Sequence, residues 1–266
     1  MNTIVANVIA IYRRELQSYF ASPFAYIIAA VFWLLSGFFF TAILMGPEGL
    51  IAQANFRDQM GITTPPIDVA YQFLSYFLGI LGSLSLFILP MLSMGLYAEE
   101  RKRGTLELLA TSPLTNWVVA LGKLLGVLTF FLTMVLPLLI YQAIVLSAAN
   151  PPASPTVMFL GHFGLILMAA AILSLGMFIS SLTDSTILAA ILTFALILLL
   201  WVVDLIANSL AGPIGEALKH LSLIKNYTTL TQGIFDSSSI IVFITYILLG
   251  LFLTAQSIEA FRFQRS

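Results

Sequence analysis

Few residues in this chain have types and spacings that suit catalysis, and each can be tested against what its chemistry needs. A phosphate cradle requires an early glycine, a lysine and a following serine or threonine; Gly122-Lys123 has the lysine and lacks the rest, so the chain carries no nucleotide site of its own. No H-E-x-x-H occurs, and His162 and His220 are too few for a three-histidine zinc centre. Cysteine is absent, which removes disulfides, thiolate nucleophiles and thiolate metal sites. Asp184 and Asp204 flank a single apolar run. A helix between them separates the two carboxylates by about 30 Å, which places them at opposite membrane faces and rules out an aspartyl dyad. Asp184 reads as the N-cap of that run. Asp204 opposes the dipole at its end and reads as exposed at the interface or lining an exit.

The densest chemistry is charge. Glu99, Glu100, Arg101, Lys102, Arg103 and Glu107 fall within nine positions of an otherwise oily chain. Hydrocarbon excludes such a cluster, because each unpaired ion there costs several kcal/mol. Gly104 breaks the preceding helix, Thr105 can cap a new one, and Glu107 sits in the first turn, where the helix dipole favours a carboxylate. Leu106, Leu109 and Ala110 share a face, and Pro113 ends the segment. The pattern describes a short amphipathic helix at the membrane surface. A basic loop that only fixes topology is the alternative.

The elements that position these charges are apolar runs. With 60% hydrophobic residues, 9% charged residues and a mean hydropathy of +1.03, the chain lies outside the range of soluble domains. Six spanning helices are expected at 24–45, 69–97, 117–146, 156–182, 186–203 and 240–255, in one membrane domain covering 1–266. Ser22 and Pro23 cap and start the first, Pro90 kinks the second, and Gly79, Gly82, Ser83 and Ser85 let the second pack closely. Residues 1–22 form an amphipathic helix in the interface, with Ile4, Val8, Ile11 and Tyr12 on one face and Arg13, Arg14 and Glu15 beyond it. Residues 46–68 are an external loop, 98–116 a cytoplasmic one, and 204–239 short helices dipping into the outer leaflet. Lys123, near the start of the third span, snorkels to the headgroups.

Six spans put both termini on one side. Arg13, Arg14, Arg101, Lys102, Arg103, Lys123, Arg262 and Arg265 lie on that side, against Arg57, Lys219 and Lys225 on the other, so the termini and the 98–116 loop are expected in the cytoplasm of a cell with a multi-pass inner-membrane protein. A net charge of -1 argues against nucleic acid as a partner.

The run E-E-R-K-R-G-T-L-E-L-L-x-T-S-P-L-T, from Glu99 to Thr115, resembles the loop after the second span in type-2 ABC transporter permeases. R-R-E-L-x-x-Y-F-x-S-P-x-A-Y, from Arg13 to Tyr26, is similar to the gliding-motility and copper-processing branch of that family. The resemblance implies an all-α polytopic membrane protein that forms the translocation path of an ABC exporter and is not itself an enzyme. It further implies that no cofactor binds this chain and that ATP and magnesium belong to a separate ATPase subunit, present in two copies beside a second permease copy or a similar permease. It also implies that the segment Glu99 to Leu109, with Leu108 among its leucines, and Pro113 is a coupling helix docked on that ATPase. Leu221-Ser222 and Gly233-Ile234-Phe235-Asp236 look like landmarks of re-entrant helices near an exit, which makes Asp204, Gly233 and Asp236 exit candidates. Rival readings are a polytopic enzyme acting on lipid-linked substrates, which needs clustered polar groups at one membrane depth, and a proton-coupled transporter, which needs an ionisable group at a helix centre.

Overall fold

The computed structural model describes residues 2–61, 68–106, 115–149, 151–209 and 212–263, with backbone alone at 2, 204, 208, 213, 214, 217, 262 and 263. Its elements are α1 (Asn2–Ala21), α2 (Pro23–Met45), α3 (Leu50–Gln59), α4 (Val69–Ser93), α5 (Gly95–Lys102), α6 (Asn116–Ser147), α7 (Pro155–Leu182), α8 (Thr186–Ser209), α9 (Pro213–Leu221), α10 (Leu223–Thr231) and α11 (Ser237–Phe263). No strand occurs among the described residues. Six helical stretches there are long and apolar enough to cross a membrane: α2, α4 running on into α5, α6, α7, α8 and α11. This is a multi-pass, all-helical membrane protein.

Local chemistry explains the starts and stops. Ser22 accepts a hydrogen bond from the Ala25 N–H at 3.4 Å, with Pro23 in the first turn of α2, where a missing N–H costs nothing. Helix α8 is capped by Ser185, whose hydroxyl accepts from the Leu188 N–H at 3.3 Å, and not by Asp184 as the sequence suggested. Part of the expected outer loop, 46–68, is helical as α3. Helix α8 continues to Ser209, beyond residue 203, and α11 fills Ser237–Phe263, more than 240–255.

Helix α7 is the hub, packed against α4, α5, α6, α8, α10 and α11. Lipid supplies no hydrophobic drive between helices, so close packing and interhelical hydrogen bonds must hold the bundle. Tyr227 of α10 shows how. Its hydroxyl donates to the Leu78 carbonyl of α4 at 2.6 Å, and its ring lies where a side chain on Gly82 would stand. Gly79, in contrast, meets nothing within 4 Å, so only Gly82 of that pair serves helix contact.

At the end of the bundle opposite the charge cluster, α9 and α10 are tied by polar groups. Asn226 donates to the carbonyls of His220 (2.9 Å) and Ser222 (2.6 Å), and Tyr246 of α11 donates to the Leu221 carbonyl at 3.0 Å. Gly233 ends α10 with a φ of +79°, a left-handed backbone that favours glycine. Asp236 caps α11: its carboxylate accepts from the N–H groups of Ser238 (3.0 Å) and Ser239 (3.3 Å). The Ser239 hydroxyl lies 2.9 Å from Asp236 Oδ2 and 2.8 Å from Asn226 Oδ1 and shares its one proton between them.

The Ser239 hydroxyl and these N–H groups hold the Asp236 carboxyl below its usual range. A depressed carboxyl stabilises the fold above its unfolded value, about pH 3.9, and ceases to do so as pH falls through the lower folded value. Asp236→Ala is therefore expected to speed amide exchange at Ser238–Ile240 near neutrality. Wild type should approach the variant only below about pH 4, and an effect already lost at pH 6 would contradict the cap.

Candidate functional site

The charged segment is built as the continuation of a spanning helix. Helix α4 contains Pro90 and ends at Ser93, and α5 resumes at Gly95 and carries Glu99 to Lys102 in helical form. The joint is clamped by Ser180 of α7, whose hydroxyl donates to the Met94 carbonyl at 2.7 Å and accepts from the N–H groups of Tyr97 (3.1 Å) and Ala98 (3.0 Å). These are backbone groups that a break after proline leaves without helical partners. The second span thus runs beyond residue 97 into what was expected to be loop. Gly104 then stops it with a φ of +69°, and both the N–H and the hydroxyl of Thr105 turn back to the Glu100 carbonyl.

Side chains from three helices converge beside this joint. The Lys123 ammonium of α6 lies 3.1 Å from Glu15 of α1 and 3.0 Å from Glu100 of α5, and donates to the Leu96 carbonyl at 2.8 Å. Its three N–H bonds have three acceptors, and it sits 5.0 Å above the Tyr97 ring. With the Lys123 side chain 5% exposed and the two carboxylates at 15% and 17%, this is a buried ion triad with one surplus negative charge. The expected snorkelling of Lys123 to headgroups does not occur; α1 and α5 cover it, and protein carboxylates replace the water.

Burial of that lysine depends on how α1 docks. Ile11, Glu15 and Tyr19, each four residues apart on one face, meet Gly122, Gly126 and Phe130, spaced the same way on α6. A Cβ on Gly126 would fall 2.7 Å from the Glu15 Cβ, and one on Gly122 would fall 2.8 Å from Ile11. Small residues at i and i+4 let the helices approach until Glu15 reaches Lys123. Tyr19 stacks on Phe130 at 5.3 Å and donates to the Leu92 carbonyl. Burial, with Glu15 and Glu99 nearby, keeps the Tyr19 hydroxyl well above the usual tyrosine range and hence a donor. Glu15 therefore belongs to the packed face and not to the water-facing side with the exposed Arg13 and Arg14. Gly122-x-x-x-Gly126 around Lys123 was the available signal.

The remaining residues of the charged segment divide. Arg101 is committed inward, donating to the Ser181 carbonyl at 2.9 Å and lying 5.0 Å over Phe261. Leu106 is 2% exposed and belongs to this chain's own core, so its side chain is not available as an anchor for another protein. Glu99, Lys102, Arg103 and Gly104 face outward. The Arg103–Glu99 pair at 3.3 Å is an exposed i,i+4 bridge of small energetic weight. Glu107, Leu108, Leu109 and Pro113 lie outside the described residues. Asp204 lies on the α8 backbone, with its side chain outside the description, while Gly233 and Asp236 have the capping positions given above.

At one end of the bundle α1, α5, α6, α7 and the end of α11 are joined by ion pairs, a serine clamp and a stacked arginine. No curated protein is similar enough to the chain to count as a relative. The sequence profile of the ABC-2 family transporter proteins matches residues 61–207, more than half of the chain, from just after α3 into the last turn of α8. The chain belongs to the ABC-2 family, whose members are membrane permeases of ABC transporters.

Proposed function

We propose that this permease lines the translocation path of an ABC exporter in the cytoplasmic membrane, with the α5 end of the bundle facing the cytoplasm and the segment after Gly104 acting as the coupling helix for an ATPase subunit. One observation carries the reading. The segment hangs from a spanning helix whose last turn is locked to α1, α6 and α7 by Lys123, Arg101 and Ser180, so force applied there reaches the spans. Outward-facing Glu99, Lys102 and Arg103 form the charged rim of the docking surface, and Leu108 and Leu109 its apolar anchors, the usual division in an interface. ATP and magnesium act on the partner, two ATPase subunits serve a pair of permeases, and residues 204–239, with Asp204, Gly233 and Asp236, form the re-entrant exit region. The basic residues favour this orientation.

The test is a pull-down of a co-expressed ABC ATPase subunit by the full chain and by a Lys102→Glu/Leu109→Asp variant. Lys102 is exposed, so its replacement leaves the spans intact. Membrane insertion should survive while ATPase binding falls by at least about tenfold, the loss expected for one anchor residue. Because the ATPase is cytoplasmic, this result also fixes the orientation, and the mass of the cross-linked complex reads the copy number. Undiminished binding with full hydrolysis in the complex would reduce the segment to a topological loop.

A further inference from the structure

A cleft of about 570 Å³ opens beside the ion triad between α1, the first turns of α2, the last turn of α4 and α5. Its lining is part polar and part apolar. Glu15, Ser18 and Ser22 come from α1 and the turn after it, and Glu99 and Arg103 from α5 and its end. Ser22 precedes the first residue of α2, and Glu99 lies about 12 Å beyond Met91 along α4 and α5. Phe24, Ile28 and Met91 supply the apolar lining, Phe24 near the Ser22 end and Ile28 about 7.5 Å along α2 from its first residue. Phe24 and Met91 are 46% and 48% exposed, and both contribute to the cleft lining. A smaller adjoining pocket of about 210 Å³ shares Glu15, Ser18, Glu99 and Arg103 and adds Arg14.

A cleft that sets polar groups beside an apolar lining matches an amphiphile standing as it stands in a bilayer leaflet. The charges select the headgroup. Two carboxylates, Glu15 and Glu99, lie on the wall with one guanidinium, Arg103; Glu99 is 3.3 Å from Arg103, and Glu15, 3.1 Å from Lys123, belongs to the triad with its one surplus negative charge. A simple anionic headgroup has a single basic partner and two acidic ones to avoid. A headgroup with both an ammonium and a phosphate satisfies both signs, and its dipole lies near the membrane plane, so both partners fit at one depth. An ammonium with N–H donors gains charge-assisted hydrogen bonds that a quaternary ammonium cannot make.

We propose that this cleft is a binding site for a bilayer phospholipid with a primary ammonium headgroup, its ammonium between Glu15 and Glu99, its phosphate at Arg103 and one acyl chain against Phe24, Ile28 and Met91. The site rests on α1, α2, α4 and α5 of this chain. It shares Glu99 and Arg103 with the rim of the ATPase docking surface proposed above, and it is tested on the isolated chain, with no ATPase present, so that the two readings fail separately.

The full chain, purified in neutral detergent, is offered phosphatidylethanolamine, phosphatidylcholine or phosphatidylglycerol with the same acyl chains, and retained lipid is counted by native mass spectrometry. Phosphatidylethanolamine should be retained about tenfold better than either of the others, and Glu99→Gln should reduce that preference by about tenfold. Met91→Trp, which enlarges a side chain of the apolar lining, should lower retention while the protein still elutes as one species. Glycerophosphoethanolamine, the same headgroup without acyl chains, should fail to displace the lipid. Equal retention of the three lipids, an unchanged preference in Glu99→Gln, or displacement by the soluble headgroup would each overturn the proposal.

Discussion

Lys123→Met is expected to destabilise the folded chain by about 3–5 kcal/mol, the cost of leaving buried charge without its partner. Here the loss is compounded because Glu15 and Glu100 would face each other across the vacated site. Thermal unfolding in detergent should show an early transition, and α1 should become accessible to protease. The combined variant Lys123→Met/Glu15→Gln/Glu100→Gln removes the charges together and should recover most of the loss, since replacing a buried ion cluster by neutral groups is often near neutral. If Lys123→Met unfolds where wild type does, the ammonium is solvated and the triad contributes nothing.

The second large effect is expected at Gly250 in α11. A Cβ there would lie 2.6 Å from the Ser174 carbonyl carbon and 2.7 Å from its Cβ in α7. Backbone cannot turn aside as a long side chain can, so α11 would have to leave the hub helix it packs against most extensively. The Ser174 hydroxyl, 3.3 Å from the Tyr246 carbonyl of α11, would lose that partner as well. Gly250→Ala should cost about 1–3 kcal/mol. Gly250→Leu should yield no single folded species on size exclusion. Gly37→Ala is the control: nothing lies within 4 Å of that position, and an exposed helical glycine gains from the change. Equal behaviour of Gly37→Ala and Gly250→Ala would show that the α7–α11 contact is looser than the structure has it.

Much of the fold was legible because hydrocarbon reads a sequence additively. A long apolar run is a span wherever it occurs, and Ser22-Pro23 and Gly104 act on their own neighbours, so six crossings and the stop after α5 followed from local chemistry. Charge in a membrane protein is not local. Glu15 and Lys123 are 108 positions apart, and each taken alone belongs in water; only their mutual approach, permitted by Gly122 and Gly126, makes the interior acceptable to both. Leu106 was misplaced for the converse reason, since an amphipathic pattern reveals an apolar face without saying which protein covers it. Asp184 and Ser185 are both good caps, and one residue of register decided between them. The residues that matter most at the charged end were thus visible in type and hidden in partnership.

The triad also has a consequence for the order in which the chain is made. A lysine inside a spanning segment is a burden at the moment that segment enters the bilayer, when an unpaired ion is most costly. Synthesis runs from the N-terminus, and both carboxylates that bind Lys123, at positions 15 and 100, precede it. By the time α6 leaves the ribosome its two counter-ions already stand at the membrane surface, one on a helix at the beginning of the chain and the other at the end of the span just completed. Were the same helices linked in an order that put α6 first, the ammonium would meet the lipid alone; in the order written here, the acceptors come first.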